Sequence, residues 1–268
     1  MSELRDILEK LAKGKYSLDE AEAKLRVFNI VEVARLAKLD VCRDTRKGIP
    51  EVVYAQHKTI DDLLAIIEQG IQVKPVLILS QLSTQQQQAI QSRLRIDFKH
   101  KFVFEVYGDG AIAIIRAKDY APKQTGGKIG IIAAGTSDRQ IAEAARVMAE
   151  QMGCQVYMAH DVGVAGVHRL FPELAEMVEQ GIDVLIVAAG MEGALPSLVT
   201  GLVDIPVIGL PIATGYGLGG EGLGALISML QSCSLGLAVV NINNGVGAGS
   251  VAALIANRLA SKSSKKPG

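Results

Sequence analysis

The sequence predicts an α/β chain, with a C-terminal doubly wound parallel sheet preceded by an N-terminal α+β domain. Three observations lead there. From residue 128 onward, short apolar runs alternate with stretches of helical periodicity. Glycine is unevenly spread: of the 28, only Gly14, Gly48, Gly70, Gly108 and Gly110 precede Tyr120. Charge shifts as well, since Arg and Lys are plentiful before residue 125 whereas 126–260 carries few charges, mostly acidic. Lys118 to Lys128, with Pro122, Gly126 and Gly127, reads as a connector. The expected division is residues 1–120, a linker at 121–127, a second domain at 128–260 and a disordered tail at 261–268.

In the first domain, Leu4 to Lys13 has helical spacing and ends at Gly14. Ser17 with Glu20 is a capping-box signature, and the helix it opens is expected to run to about Leu39. Val52 to Ala55 is a short strand, Thr59 caps a helix ended at Gly70, and Val76 to Leu79 is another strand. Ser83 to about Leu94 is a Gln-rich helix. Phe102 to Val106 and Ala111 to Arg116 flank Gly108-Asp109-Gly110, a hairpin signal.

The second domain is organised around Lys128 to Met152. Ile129 to Ala134 suits a buried parallel strand, and Gly135 permits a sharp turn. Thr136, Ser137 and Asp138 are helix-capping types, after which Ile141, Ala144, Ala145 and Met148 share one helical face. Backbone N–H groups at such a corner bind phosphate or another anion. An ordinary βα unit reads the same way, because no G-x-G-x-x-G accompanies it. Further strands are expected at Gln155 to Met158, Val184 to Ala188, Val207 to Leu210 and Leu237 to Val240. The helices are Asp138 to Met152, Pro172 to Glu179, Ala194 to Leu202, Gly222 to Leu230 and Ala248 to Leu259. Right-handed crossovers then build a parallel sheet, whose ligands sit beyond the strand carboxyl ends where strand order reverses.

Composition narrows the function classes. Hydrophobic residues at 49% and charge at 21% exclude a disordered chain. A formal net charge of zero, 4% aromatics and no Trp argue against nucleic acid as partner. The first residues lack a signal-peptide apolar region, and no apolar run approaches the ~20 residues that span a bilayer. Three widely spaced cysteines suggest a reducing compartment. A soluble, cytoplasmic protein is expected.

Polar and glycine residues gather after the five strands. These are Gly135, Thr136, Ser137 and Asp138; then His160, Asp161, Gly163, Gly166, His168 and Arg169. Gly190, Met191, Glu192 and Gly193 follow the third strand, Thr214, Gly215 and Gly217 the fourth, and Asn241, Asn243, Asn244 and Gly245 the fifth. A nucleotide or phosphorylated ligand is the natural occupant. Among cysteines, Cys154 suits core packing. Cys42 sits among Arg43, Asp44, Arg46 and Lys47, where cations lower a thiol pKa. Cys233 stands between a helix and the fifth strand, at the sheet edge away from the strand carboxyl ends. Spacing does not choose between Cys42 and Cys233. Arg43 and Arg46 share a helical face and suit phosphate or carboxylate, or else a solvated basic face.

These residues carry a resemblance. The second domain resembles the aminoimidazole-ribonucleotide carboxylase (PurE) class, a flavodoxin-like fold whose first turn reads Gly-Ser-x-Ser-Asp against Gly135-Thr136-Ser137-Asp138 here. Asp204-Ile205-Pro206-Val207-Ile208-Gly209-Leu210-Pro211 is similar to that class too. Over residues 1 to 259 the chain is more closely similar to the LarB family. The motifs are Arg43-x-x-Arg46-x-Gly48-x-Pro50-Glu51-Val52, Asp161-Val162-Gly163-Val164-Ala165-Gly166-x-His168-Arg169, Gly190-Met191-Glu192-Gly193-Ala194-Leu195-Pro196-Ser197 and Asn241-Ile242-x-Asn244-Gly245-x-Gly247-Ala248-Gly249. One departure is Gln56-His57-Lys58, where the family has Gly before Lys.

The LarB resemblance implies a pyridinium-3,5-biscarboxylic acid mononucleotide synthase, acting toward the nickel-pincer nucleotide cofactor in lactate racemase maturation. Such an enzyme carboxylates nicotinic acid adenine dinucleotide (NaAD) at pyridinium C5 with CO2, then hydrolyses the phosphoanhydride and releases AMP. The family nucleophile falls on Cys233. A thiolate adding at ring C4 makes C5 enamine-like and able to attack CO2. Glu192, Asp138 or His168 is then the base that takes the C5 proton. Gly135 to Ser137, Asp161, Arg169, Gly190, Met191, Thr214, Asn244, Arg43 and Arg46 are the expected substrate contacts. Mg2+ on the pyrophosphate is an expectation from the chemistry, with no ligand motif. A homo-oligomer is expected, an octamer if it follows PurE-like relatives, with no membrane partner. The rivals are a purine-pathway carboxylase or mutase and a non-catalytic nucleotide-binding regulator.

Overall fold

The structure, a computed structural model, describes residues 3–25, 30–33, 37–40, 43–97 and 101–263. Two compact units make it up. One takes described residues within 1–79, 85–104 and 114–120, the other those within 80–84, 105–113 and 121–268.

Helix α1 (Glu3–Ala12) stops where Gly14 takes a left-handed φ of 67°. Helix α2 (Leu18–Leu25) opens on the reciprocal capping box: Ser17 N–H donates to Glu20 Oε2 at 2.8 Å and Glu20 N–H to Ser17 Oγ at 3.2 Å. These bonds, Ser17 N–H foremost, hold the Glu20 carboxyl below its usual value. The expected continuation to Leu39 is wrong. Beyond Leu25, strands β1 (Ile30–Val33) and β2 (Ala37–Asp40) pair antiparallel where the helix was expected. The β-branched Ile30, Val31 and Val33 lose rotamer freedom in a helix and suit a pleated surface.

After the short helix α3 (Arg43–Lys47) come β3 (Val52–Tyr54), α4 (Ile60–Val73), β4 (Val76–Ser80), α5 (Thr84–Asp97), β5 (Phe102–Tyr107) and β6 (Ile112–Ala117). The four strands order as β3-β4-β6-β5. Thr59 caps α4 by accepting from Asp62 N–H at 3.2 Å. Gly70 does not end that helix, which continues to Val73. Its role is close packing, since a Cβ there would lie 2.6 Å from Leu77 Cδ1. His57 takes a φ of 64°, the left-handed region that suits the family's glycine at this position. Strands β5 and β6 are neighbours joined through the tight turn at Gly108–Gly110, as the hairpin signal implies.

The second unit alternates strand and helix throughout. Its elements are β7 (Lys128–Ala133), α6 (Arg139–Gln151), β8 (Gln155–His160), α7 (Leu170–Glu179), β9 (Val184–Ala189), α8 (Leu195–Thr200), β10 (Val207–Pro211), α9 (Leu223–Leu230), β11 (Leu237–Val239) and α10 (Gly245–Ser263). The strands order as β11-β10-β9-β7-β8, and every pairing is parallel. Strand order therefore reverses between β7 and β9. Leu185, Val187 and Ala189 of β9 join Leu174, Met177, Leu195, Val199 and Met229 in a buried cluster that seats α7, α8 and α9 on one face. Helices α6 and α10 pack together, and α10 also meets β7 and β9. Helix α10 reaches Ser263, three residues into the stretch expected to be disordered; the remaining tail lies outside the described residues. Among the described residues, no helix is long and apolar enough to cross a membrane.

Candidate active site

A cleft of about 430 Å³ opens in the second unit where four strand-end loops converge. Ala134, Gly135, Ser137 and Asp138 enter it from the end of β7, and Gly163 to Ala165 from that of β8. Ala189 to Glu192, with Ala194 and Leu195, come from the end of β9, and Thr214 to Tyr216 from that of β10. The loops after β7 and β9, which flank the reversal of strand order, supply most of the wall, as the fold demands.

Asp138 is the fixed point of the cleft. Its residue is 5% exposed, and both carboxylate oxygens are engaged. Oδ2 accepts from Gly135 N–H at 2.9 Å, and Oδ1 accepts from Thr214 Oγ1–H at 2.6 Å. Asp138 stands at the N-cap of α6 but makes no side-chain cap, so the capping expectation fails there. Its carboxylate turns back into the loop instead. Of the anion seat expected at Gly135 to Ser137, the Gly135 N–H is already taken by Asp138. Thr136 is exposed and off the lining.

Close packing joins the loops. The Thr214 carbonyl accepts Met191 N–H at 2.9 Å, and Met191 holds a φ of 50°. A Cβ on Gly190 would stand 2.1 Å from Thr214 Oγ1, so only glycine admits the threonine. Positive φ recurs after β8 at Asp161 (61°) and after β11 at Asn243 (57°). Non-glycine residues rarely hold this conformation, and such strain collects at functional loops.

Nine of the residues singled out from sequence meet in the cleft: Gly135, Ser137, Asp138, Gly163, Gly190, Met191, Glu192, Thr214 and Gly215. Glu192 is exposed and has no hydrogen-bond partner among the described residues. Others stand apart. His168 is exposed and off the lining. Arg169 pairs with Asp161 at 2.5 Å, and its Nε donates to Gly166 O. Asn244 Oδ1 accepts Gly247 N–H at 2.8 Å, closing the first turn of α10, and Asn243 Oδ1 accepts Ala213 N–H at 2.9 Å. Both asparagines brace loops. Tyr216, 82% exposed at the rim, was missed by sequence reasoning. Its signal was a lone aromatic ring between Gly215 and Gly217.

Cys233 is exposed in the turn between α9 and β11. That turn feeds the amino end of β11, so one copy of the chain holds its thiol at the sheet edge opposite the cleft. Cys154 is buried, and its Sγ–H donates to Asn257 Oδ1 at 3.1 Å. Burial pushes this thiol up to about 11. Cys42 lies outside the described residues. Arg43 and Arg46 belong to the other unit, where carboxylates of that unit hold them. Arg43 pairs with Glu51 at 3.2 Å and Arg46 with Asp40, while Arg43 Nε is buried without a partner among the described residues. Burial raises the Glu51 carboxyl despite Arg43.

Among the described residues, no group of three or more His, Cys, Asp or Glu side chains gathers to hold a metal. The cleft lining offers two carboxylates, one already saturated by protein donors. These residues do not fit a protein-held Mg2+.

Known proteins match in two blocks. Residues 128–266 match the AIR carboxylase family, and residues 31–101 match the LarB/PurE-like N-terminal domain. An "uncharacterized protein" of Methanocaldococcus jannaschii is 41% identical over 253 residues, 94% of this chain and 96% of that protein. The N5-carboxyaminoimidazole ribonucleotide mutase of Thermotoga maritima is 32% identical over 133 residues, 48% of this chain and 74% of the mutase. The mutase of Pyrococcus horikoshii is 34% identical over 138 residues, 49% and 71% of the two chains.

Proposed function

The chain belongs to the AIR carboxylase family, with a LarB/PurE-like domain ahead of the family's own, and on that premise we propose that it carboxylates NaAD at pyridinium C5 with CO2. Water then cleaves the phosphoanhydride, giving pyridinium-3,5-biscarboxylic acid mononucleotide and AMP. At the coarser level the chain is a LarB/PurE-like enzyme of the carboxylase or mutase type.

One observation carries the choice of substrate. The cleft lining holds two carboxylates, Asp138 and Glu192, and no Lys, Arg or His. That charge favours a cationic ring, which a pyridinium is, over a phosphate-led aminoimidazole ribonucleotide that would find no counter-charge there. The pyrophosphate then belongs outside this lining, and Arg169, paired with Asp161 in the loops after β8, is the counter-charge this reading assigns to it.

The chemistry follows from charge. A pyridinium does not attack CO2 until its positive charge is removed. The Cys233 thiolate adds at C4, C5 attacks CO2, a base takes the C5 proton, and the thiolate leaves as the ring regains aromaticity. Glu192 is the fitting base: Asp138 has both oxygens occupied, His168 is off the lining, and Glu192 is unencumbered. Because Cys233 lies at the far sheet edge, a second copy must deliver it. Leu223, Ile227 and Leu230, exposed at helical spacing on α9, and Leu235 beside Cys233 are the apolar surface such a copy would cover. The test is mass spectrometry after incubation with NaAD and labelled bicarbonate. One labelled ring carboxylate is expected, and a product without label removes the carboxylase reading.

A further inference from the structure

We infer that Thr214 is a positioning residue, one that acts on the cleft through Asp138. Its hydroxyl proton is committed to Asp138 Oδ1 at 2.6 Å, and its carbonyl receives Met191 N–H at 2.9 Å. One residue after β10 thus ties down the loops after both β7 and β9. The second oxygen of Asp138 receives Gly135 N–H at 2.9 Å, so the carboxylate is pinned at both ends and cannot turn about its last bond. Asp138 is 5% exposed, which leaves water little room to replace a lost donor. The arrangement costs Gly190 its side chain, since any Cβ there would push the threonine hydroxyl aside.

A pinned carboxylate is a fixed negative charge on the cleft wall, the kind of preorganised group that needs no rearrangement when a ligand arrives. The use made of that charge, facing a pyridinium cation, rests on the function proposed above. The pinning itself does not. Valine has nearly the shape of threonine without the donor, so Thr214→Val leaves Asp138 Oδ1 a buried acceptor without a partner. The carboxylate then swings away and frees Gly135 N–H. Serine keeps the donor and loses only a methyl group.

Two measurements on the full chain separate these effects. Amide hydrogen exchange at Gly135 reports the pinning without any reaction. Steady-state kinetics with NaAD and bicarbonate report its use. In Thr214→Val, Gly135 is expected to exchange about tenfold faster, with kcat down about tenfold and KM moved much less. Thr214→Ser should restore most of both losses. Unchanged Gly135 protection in the valine variant overturns the inference, as does a serine variant as impaired as valine, which would make the methyl group the contact that matters. Should wild-type protein fail to turn over NaAD while Gly135 exchange responds as stated, the positioning role stands and the substrate assignment falls.

Discussion

Glu192 and Cys233 stand at opposite ends of one parallel sheet: Glu192 follows the carboxyl end of β9, and Cys233 precedes the amino end of β11. A reaction that uses both cannot be completed by one copy of this unit alone. Glu192→Gln and Cys233→Ala should each lower NaAD carboxylation at least a hundredfold on their own. Mixed in equal amounts and reassembled, the two inactive variants should regain about a quarter of wild-type activity, the share of random pairings that unite an intact cleft with an intact thiol. Activity no greater than the sum of the two variants would sink the two-copy site. Full activity in Cys233→Ala alone would sink the covalent route.

Gly190→Ala tests the loop packing by crowding. The added Cβ would meet Thr214 Oγ1 at 2.1 Å and the Thr214 carbonyl oxygen at 2.3 Å, and backbone cannot yield cheaply. A loss of about 1–3 kcal/mol in unfolding free energy is expected, together with weaker NaAD binding. Denaturant titration and calorimetry check both. An alanine variant with native stability and affinity would show that these loops are loosely held.

How much of this was legible beforehand depends on the range of the interaction. The α/β alternation, the parallel sheet and the Ser17/Glu20 box follow from periods and short spacings, which sequence displays directly. The helix expected through Leu39 failed because Ile30, Val31 and Val33 favour strand over the helix that the upstream cap suggested. Glycine and polar residues beyond β7, β8, β9 and β10 lie at the edge of the sheet where the cleft opens, and those beyond β11 stand off its lining. The Thr214–Asp138 bond was not readable, because it joins residues 76 positions apart through tertiary packing. For the same reason Asp138 read as a helix cap, a local role, when its carboxylate serves a distant loop.

Arg43 and Arg46 give a sharper test than their motif alone suggests. Each is held by a carboxylate of its own unit, Glu51 and Asp40 respectively. Arg43→Ala strands a carboxyl that burial already disfavours as an ion, so a fall in thermal midpoint of a few degrees is expected. Arg46→Ala should cost a similar amount, because Asp40 Oδ1 is already buried without a partner among the described residues and the variant removes the ion pair on Oδ2. The family resemblance further implies weaker NaAD binding in both variants, measured by calorimetry on protein that remains folded. Undiminished affinity would confine both arginines to ties within their unit.

Cys154 offers a pH signature that separates it from Cys233. Burial raises its thiol to about 11, and the Sγ–H to Asn257 Oδ1 contact keeps the proton in place. An unfolded chain gives that proton up near pH 8.5–9, so between there and pH 11 the native state binds more protons than the unfolded one. Stability from this source is fully present below the unfolded value and is lost as pH rises toward 11, by a ceiling of about 2–3 kcal/mol. Urea unfolding at pH 8, 9.5 and 11 should show the decline, and Cys154→Ala should flatten it. In a Cys42→Ala background at pH 8, iodoacetamide should label the exposed Cys233 and spare Cys154 until the chain unfolds. Equal labelling of both thiols in native protein would mean that the structure around Cys154 opens far more readily than its burial implies.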